Sequence, residues 1–569
     1  IVLIHCTSYS TFYRSPIYCQ EGSIRFSFRM PWVLSLLLLL PPSILAIEGY
    51  KNYSGYQIFQ LSPQTDKHLE YIGKLDEGLG FESFPIVHLS IITLNDSLQL
   101  DRLDVLRAVN KIGSHSEILV PPTKINHIIR SLVDNNLTYE VAVDDVGAIV
   151  ARERRALANP NPGTFDPFHY YSYEDQMKYL DFVASRRFSF VTQGIIGYSS
   201  ERRPIKFLRI GFPSRQFKPS LVIEAGIHAR EWIAPATALH TIHELTTDGV
   251  YENLLKTIDI YIIPNTNPDG YEYSRLHDRL WRKTRSGPRG PNRCFGTDGN
   301  RNFPYFYAYD GTSRDPCSDI FHGDGPLSEP EAAGLSRFLL AHKKTIRGFI
   351  SLHSYGGNIL YPWGHKKRTY PEDVRDLIWA GNRMAAAIER VHGTKYKVEN
   401  SADGLYPAAG ATDDYAKSIG IKYTYTMELR PTDSETLAKR GFELPPQEIK
   451  GAAEEAFEGI IELAIIIRNE RMARLNKSPS SPRPLLPLVK GKMNGIARRK
   501  PFAPIQRTAS SPNRFSRPIV ANNIRTRSTK TSPTVTTRPS SRSVVRTVVR
   551  RPQRDAISKP VQTLSSGKI

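Results

Sequence analysis

The chain has 569 residues, 40% of them apolar, so it is too long for one ordinary domain and apolar enough to bury a substantial core. The net charge of +20 would suit a nucleic-acid-binding protein, but 23 of the 76 basic residues and only one of the 56 acidic residues lie between Arg471 and Ile569. The rest of the chain, with 53 basic and 55 acidic residues, is nearly neutral. A basic globular domain is therefore excluded, and nucleic acid is not an expected partner.

Residues 1–46 are predicted to be a leader. The first methionine is Met30, and the apolar stretch Pro31–Ala46 is interrupted by Pro41 and Pro42 and is short for a membrane span. We interpret residues 30–46 as a secretory signal peptide and expect a secreted, extracellular protein without a stable membrane span. A short signal-anchor helix is the alternative.

Residues 47–155 make a second segment with strand and helix signals of its own. Tyr56–Leu61 and Ile86–Ile92 have strand-like alternation, and Pro122–Asn135 has apolar residues at helical spacing. These patterns predict a small unit that contains both strands and a helix.

A charged run, Ala151–Arg155, ends this segment and is followed by the turn formers of residues 159–163. Charge and turn formers without apolar periodicity predict an exposed linker. Arg152, Arg154 and Arg155 also make a pattern that dibasic-cleaving processing proteases recognise, so we predict activation by cleavage after Arg155, by a convertase or a trypsin-like protease. A solvated helix end is the alternative.

Residues 156–470 alternate between strand-like and helical patterns. This alternation predicts an α/β fold with a mixed, mostly parallel sheet sandwiched by helices, in which a site lies beyond the carboxyl ends of the strands. The predicted strands are Leu221–Ala225, Ile258–Ile263, Gly348–Leu352 and Tyr423–Leu429, and the clearest helices are Glu231–Leu245 and Pro446–Arg468.

Residues 471–569 form a basic tail rich in Ser, Pro and Arg and nearly without aromatic residues. Such a composition cannot bury enough apolar surface to offset chain entropy, which predicts disorder. The charge suits an anionic extracellular polysaccharide, and a tail with no binding role is the alternative.

Three residues have the chemistry of a catalytic zinc site. His228 and Glu231 follow a predicted strand and are three residues apart, which places both on one face of a helical turn, and His353 ends another predicted strand. Each signal alone is weak, since a lone histidine at a strand end is more often structural. Two histidines and one carboxylate together are typical of catalytic rather than structural zinc.

Two cysteines, Cys294 and Cys317, remain in the part of the chain after the leader. An isolated pair in an exported protein is expected to form a disulfide, worth on the order of 3 kcal/mol in the loop-entropy model.

From about Ile47 to Asn469 the sequence resembles the carboxypeptidase A/B family of zinc metallocarboxypeptidases. The resemblance rests on the order and spacing of several motifs. They are the metal triad, Trp281–Arg285, Asp298–Asn302, Leu405–Pro407, Glu428–Arg430 and the cysteine pair.

The resemblance implies a peptidase that acts on free peptide or protein C-termini with one zinc ion per chain. It implies an inhibitory pro-domain, an open sandwich of antiparallel strands and helices, in residues 47–155. It also implies a role for each site residue: His228, Glu231 and His353 bind zinc; Glu428 is the catalytic base and Arg282 stabilises the oxyanion; Arg301, Asn300 and Tyr406 bind the terminal carboxylate; Asp298 orients His228; Arg230 and Tyr355 contact upstream residues of the substrate.

Alternatives exist for two of these residues. Glu428 would otherwise be a salt-bridge partner of Arg430, and Arg301 would otherwise be an ordinary surface arginine.

Asp413 falls at the position that the family places at the bottom of the side-chain pocket. A buried carboxylate there needs a cationic partner, which predicts a preference for C-terminal Lys or Arg. The alternatives are that Asp414 faces inward instead, or that a cation of the protein pairs with Asp413.

A catalytically silent, secreted binding protein anchored by its tail is the competing function. The complete set of predicted metal-binding, catalytic and carboxylate-binding residues favours an active enzyme, because a binding-only descendant would be expected to lose some of them.

Overall fold

The N-terminal domain is a four-stranded antiparallel sheet with helices packed on it. The structure is a computed structural model that describes residues 50–76, 103–108, 111–157, 166, 169–186, 189–432 and 441–477. The strands are β1 (Gln57–Ser62), β2 (Asp104–Arg107), β3 (Ser116–Val120) and β4 (Thr138–Val143), in the order β2–β3–β1–β4. The helices are α1 (Asp66–Asp76), α2 (Ile125–Asp134) and α3 (Val146–Leu157).

Apolar side chains from β1, β3 and α2 fill the core of this domain. Phe59, Ile118, Ile128 and Leu132 are fully buried, as the alternation in β1 and the helical spacing in α2 require. The predicted strand Tyr56–Leu61 and the predicted helix within Pro122–Asn135 are confirmed, whereas Ile86–Ile92 lies outside the described residues.

The run Ala151–Arg155 is the last part of helix α3, as the alternative of a helix end has it, rather than a linker, and its residues are exposed except Glu153. Glu153 is buried there against Arg279, whose Nη2 lies 3.1 Å from Glu153 Oε1. Arg154 stacks over Tyr50, with its guanidinium carbon 3.8 Å from the ring centroid. A buried ion pair and a cation–π contact therefore hold the run helical, which a pattern of charges along the sequence does not reveal.

The second domain is built on an eight-stranded mixed sheet. Its strands are β5 (Val191–Tyr198), β6 (Pro204–Ile210), β7 (Ser220–Ala225), β8 (Asp259–Ile263), β9 (Ile346–Gly356), β10 (Asn358–Tyr361), β11 (Lys397–Asn400) and β12 (Tyr423–Thr432). They lie in the order β11–β10–β12–β9–β7–β8–β6–β5. Four of the seven neighbouring pairs are parallel, which confirms the predicted mixed, mostly parallel sheet.

Helices cover both faces of this sheet. They are α4 (Tyr173–Ser185), α5 (Ile233–Thr247), α6 (Glu252–Leu255), α7 (Pro268–Leu276), α8 (Pro330–His342), α9 (Val374–His392), α10 (Ser401–Gly404), α11 (Thr412–Ser418) and α12 (Pro446–Lys477). On β7, Leu221 and Ile223 pack toward the cluster that contains α5, α9 and α12, while Val222 packs toward α8 and α11. Alternate residues of one strand are thus buried in two separate cores, one on each face of the sheet.

One boundary differs from the predictions. Helix α12 continues to Lys477, past the predicted helix end at Arg468 and the expected domain end at residue 470. Within this extension, Glu470 accepts hydrogen bonds from Lys422 and Tyr423 (2.5 and 2.6 Å). The first seven residues assigned to the tail are therefore helical, and the rest of the tail lies outside the described residues. No helix in the described part of the chain is long and apolar enough to cross a membrane.

Replacing Glu153 by Gln is expected to speed cleavage at Arg155. A protease needs an extended segment, so helix α3 must open locally, and loss of the buried charge lowers the opening cost by about 1–3 kcal/mol. The measurement is the rate of trypsin cleavage of the intact E153Q chain, followed by gel, with an expected increase of roughly tenfold or more.

The matched control is E70Q, which removes an exposed carboxylate that pairs with Lys74 on α1. Equal cleavage rates for wild type, E70Q and E153Q would show that the ion pair does not hold the segment closed.

Candidate active site

The predicted metal ligands lie close together, on strand β9 and on the turn that follows the neighbouring strand β7. His228 and Glu231 lie on the turn between β7 and α5, not on the helix itself, which begins only at Ile233. Gly226 opens this turn at φ +74°, where a Cβ atom would lie 3.1 Å from both Asn265 Oδ1 and Pro235 Cγ. Only glycine meets both constraints without strain.

Three side chains form the only group of potential metal ligands found among the described residues. His228 Nδ1 lies 2.8 Å from Glu231 Oε1, His353 Nδ1 lies 3.0 Å from Glu231 Oε2, and the two Nδ1 atoms are 3.0 Å apart. His353 belongs to the interior of β9 rather than to its end. Two imidazole nitrogens and a carboxylate aimed at one point are the donor set of catalytic zinc.

The Nε2 atom of each histidine contacts a second residue, which fixes the orientation of the ring. His228 Nε2 lies 3.0 Å from Asp298 Oδ1, and His353 Nε2 lies 2.9 Å from Ser351 Oγ, whose hydroxyl in turn donates to Glu224 Oε2 at 2.6 Å. These partners hold the Nε2 protons and leave both Nδ1 atoms free for a metal. The residues present therefore fit a zinc ion.

Ser351 and Glu224 were missed by the sequence analysis. Ser351 is two residues before His353 on the same strand, so the two side chains share a face of the sheet, and this spacing could have indicated the contact. Glu224 reaches Ser351 only because β7 pairs with β9, with Glu224 opposite Ser351.

Asp298 also positions Arg282. Arg282 donates from Nε and Nη2 to Asp298 Oδ2 at 3.1 and 2.9 Å, and its Nη1 lies 3.8 Å from Glu231 Oε1. Burial alone would raise the pKa of Asp298, but Arg282, Arg301 and His228 together lower it well below its usual range. Asp298 is therefore ionised and orients both neighbours.

Arg301 is buried rather than exposed, which removes the surface-arginine alternative. Its Nε donates to Gly311 O at 2.8 Å and its Nη1 to Asn300 O at 3.0 Å, whereas its buried Nη2 has no hydrogen-bond partner among the described residues. Gly410, at φ +73°, lets its own loop lie against the backbone of Arg301, since a Cβ atom there would lie 2.4 Å from Arg301 O. A buried guanidinium with an unused donor is suited to an anion.

Asn300 and Tyr406 accompany Arg301 in the cleft. Asn300 Oδ1 accepts from the backbone N and Oγ1 of Thr412 at 2.8 and 2.7 Å, so its amide nitrogen is the group left for a ligand. The Arg301 guanidinium carbon lies 5.9 Å from the centroid of the Tyr406 ring.

One cleft joins these groups, and Asp413 lies in its wall. Ser401 Oγ is 3.1 Å from Asp413 Oδ2, and no lysine or arginine in the described structure forms an ion pair with Asp413. Burial, with Asp414 as the next contributor, raises the pKa of Asp413 to about 7. The alternative that a lysine or arginine of the protein pairs with Asp413 is therefore not seen among the described residues.

Asp414 has structural partners instead. It accepts from the backbone N of Gly364 and of His365 at 2.7 and 2.9 Å and lies 2.9 Å from His365 Nδ1. These contacts occupy its carboxylate with the loop at Gly364, and Asp414 is not among the residues that line the cleft.

Glu428 faces the same cleft, on the strand next to His353. Burial raises the pKa of Glu428 to about 7, with Glu231 adding to the rise and His353 opposing it. Arg430, the alternative partner, lies 3.8 Å from Glu448 on α12. A carboxyl group with a pKa near neutrality can both accept and return a proton.

Residues of the N-terminal domain cover the cleft. Leu106, Arg107 and Ala108 line it, Asp104 Oδ2 lies 2.7 Å from Arg230 Nη1, and the hydroxyl of Tyr355 donates to Glu117. Arg230 and Tyr355, the predicted upstream contacts, are thus covered in this state. The predicted disulfide is present between Cys294 and Cys317, with Cα atoms 5.1 Å apart.

A metal site beside the central strands of a mixed sheet, in a cleft that an N-terminal domain covers, defines a metallohydrolase made as a zymogen. Residues 176–459 match the family model for zinc carboxypeptidases, and residues 90–153 match the carboxypeptidase activation peptide.

Comparison with individual relatives and solved structures agrees with the family match. Carboxypeptidase A2 of Rattus norvegicus is 35% identical over 75% of this chain and 97% of its own length, and carboxypeptidase B of Astacus astacus is 37% identical over 53% and 97%. The crystal structure of carboxypeptidase A from Helicoverpa armigera is 29% identical and superposes with a TM-score of 0.65 over 74% of this chain and 99% of that one. The chain belongs to the zinc carboxypeptidase family and is a metallocarboxypeptidase that uses one zinc ion.

Replacing Ser351 by Ala is expected to weaken zinc binding by about 10- to 100-fold, because His353 loses the acceptor that fixes its ring. The measurement is the zinc dissociation constant, obtained by competition with a chelator of known affinity.

The matched control is S336A, which removes another buried hydroxyl, one bonded to Tyr415 Oη at 2.7 Å away from the metal ligands. Equal zinc affinities for S351A and S336A would refute the positioning role of Ser351.

Proposed function

We propose that this enzyme, once its N-terminal domain is removed, hydrolyses the last peptide bond of chains that end in Lys or Arg. The observation that carries the proposal is Asp413, a buried carboxylate in the cleft wall without a cation of its own. An unpaired buried carboxylate is costly, and a substrate ammonium or guanidinium would supply the missing charge.

Arg301 is proposed to bind the terminal carboxylate of the substrate. Its unused Nη2 and the amide nitrogen of Asn300 provide donors on one side of the cleft, and the Tyr406 hydroxyl would add a third. Recognition of a free carboxylate restricts the enzyme to chain ends, since an internal peptide bond offers no anion at this place.

Glu428 is proposed as the general base and acid. Its carboxylate would take a proton from the attacking water and return it to the leaving amine, which its pKa near 7 allows. Arg282, held by Asp298, would donate to the oxyanion as it forms. The zinc ion, held by His228, Glu231 and His353, would polarise the carbonyl group and acidify the water when bound.

Export, and activation after Arg155, complete the proposal. The Cys294–Cys317 disulfide supports an oxidising compartment, and the activation-peptide match ends at residue 153, beside the dibasic run.

The basic tail is proposed to bind anionic extracellular polysaccharide. Deleting residues 478–569 should then lower the salt concentration that elutes the protein from heparin. Unchanged elution would show that the tail does not bind heparin.

The silent binding protein is not favoured. The metal ligands converge, and Arg282, Arg301 and Glu428 line the same cleft. No observed feature of the described structure blocks the cleft apart from the N-terminal domain.

A peptide ending in Arg is expected to be cleaved faster than the same peptide ending in Phe. D413N should lower kcat/KM for the Arg peptide roughly 100-fold, because a buried charge pair is lost. It should leave the Phe peptide nearly unaffected, which makes that peptide the internal control. Faster release of Phe by the wild-type enzyme would overturn the preference.

The pH dependence gives a second measure of the same residue. Because the folded-state pKa of Asp413 is raised to about 7, the carboxyl group is protonated below that pH and binds a cation poorly. The Arg-to-Phe ratio of kcat/KM should therefore fall as the pH drops through 7. Taking the ratio cancels the titration of Glu428, which affects both peptides. A pH-independent ratio in the wild-type enzyme would contradict the role of Asp413.

A further inference from the structure

Acceptor sequences for N-linked glycans are distributed unevenly along the chain. The pattern Asn-X-Ser/Thr, in which X is not proline, begins at Asn52, Asn95, Asn136 and Asn476, and no further one begins between residues 137 and 475. The part of the chain that matches the zinc carboxypeptidase model therefore has no acceptor. Three acceptors lie in the N-terminal segment, and the side chains of Asn52 and Asn136 are exposed there, whereas Asn95 lies outside the described residues.

Asn52 lies in a segment whose side chains alternate between the catalytic domain and solvent. Lys51 Nζ lies 3.2 Å from Asp278 Oδ2, and the Tyr53 hydroxyl donates to the same carboxylate, whereas Asn52 and Ser54 are exposed. The residues on either side of Asn52 thus hold the segment in place. Both groups of the acceptor, the Asn52 amide and the Ser54 hydroxyl, are on the solvent side, so a bulky group on Asn52 disturbs neither contact with Asp278.

A glycan is attached through the Nδ2 atom of an asparagine. The transfer forms a bond between Nδ2 and the anomeric carbon of the sugar and breaks the bond between that carbon and a pyrophosphate oxygen of a lipid-linked oligosaccharide. The lipid pyrophosphate and one proton from Nδ2 are released. In the folded protein Asn52 uses its other amide atom, since Oδ1 accepts from the backbone N of Ser54 at 2.9 Å. The fold therefore accommodates a modified Asn52 without loss of this hydrogen bond.

The same segment runs along helix α3, which contains the predicted cleavage site. At one end of the segment, the Arg154 guanidinium carbon lies 3.8 Å from the ring centroid of Tyr50. At the other end, Gly147 N donates to Tyr53 O at 3.0 Å, and a Cβ atom on Gly147 would lie 2.8 Å from Tyr53 C. Asn52 stands between these two contacts, so a group on its side chain lies beside the exposed side of helix α3.

We propose that Asn52 carries an N-linked glycan in the exported protein, and that this glycan shields residues 152–155 from the activating protease. Arg152, Arg154 and Arg155 are exposed, so a protease approaches them from solvent. A glycan is bulky, and one on Asn52 occupies the solvent next to them. The inference rests on the proposed export and on the proposed cleavage after Arg155, but not on the peptidase activity.

Asn136 is the acceptor that lies away from helix α3. Strand β1 begins five residues after Asn52, and its last residue, Ser62, is opposite Thr138 on β4. The strand extends for roughly 20 Å, at about 3.3 Å per residue. Asn136, two residues before Thr138, is therefore at the other end of this sheet from Asn52, and a glycan on it is not expected to shield residues 152–155.

The test uses residues 47–569 behind a signal peptide of known efficiency, produced in cultured eukaryotic cells and purified from the medium. Peptide mass mapping, with and without an N-glycosidase, should show a modified Asn52. Cleavage by trypsin after Arg155, identified by sequencing the new N-terminus, should be about 3- to 10-fold faster for N52Q than for the wild type, because the glycan lowers the fraction of encounters that are productive.

Variants separate the glycan from the asparagine side chain. S54A keeps Asn52 but destroys the acceptor sequence, so it should be cleaved as fast as N52Q, whereas S54T keeps the sequence and should be as slow as the wild type. N136Q, which loses the other glycan, is the matched control and should leave the rate unchanged. Removing the glycans from the native wild-type protein with the N-glycosidase should raise its rate to that of N52Q.

An unmodified Asn52 in the secreted protein would overturn the inference, as would a modified Asn52 with equal cleavage rates for wild type, N52Q and S54A. Absence of cleavage after Arg155 in every variant would remove the shielding together with the proposed activation, while the mass map would still decide whether Asn52 is modified.

Discussion

The buried carboxylate of Asp298 connects the functions of the cleft. It fixes the ring of one metal ligand, His228, holds Arg282 through two hydrogen bonds, and lies 3.7 Å from Arg301. One fully buried negative charge thereby sets the relative positions of the metal site, the proposed oxyanion donor and the proposed carboxylate site. Such a charge is stable only while all its partners stay in place, so the same interaction that costs folding energy also makes the site rigid.

The zymogen is kept inactive by the same kinds of contact that the proposed mechanism uses. The N-terminal domain inserts Leu106 and Arg107 into the cleft and places carboxylates on Arg230, Arg279 and Tyr355. Inhibition therefore needs no distortion of the metal ligands, which already converge in this state. The buried Glu153–Arg279 pair joins helix α3 of the covering domain to the catalytic domain.

Strands and helices were predicted correctly wherever the buried residues repeat with the period of a strand or a helix. The strands that lead to His228 and His353 and the helix that contains Leu132 were predicted because their side chains alternate or repeat with the geometry of the element. Prediction failed where distant contacts decide. The run around Glu153 is polar along the chain, and yet Glu153 itself is buried. Helix α12 continues past its predicted end, where Glu470 binds Lys422 and Tyr423.

By itself, the sequence determined which chemical groups are available: two imidazoles and a carboxylate for the metal, the arginines of the motifs, a cysteine pair, and the order of motifs that carries the family resemblance. Tertiary structure decided which of them meet. Strand pairing brings Glu224 and Ser351 behind His353, and the packing of α11 separates the neighbours Asp413 and Asp414, so that one carboxylate enters the cleft and the other binds the loop at Gly364. Adjacent residues have nearly the same sequence environment, and only the direction of the chain in space distinguishes their electrostatic surroundings.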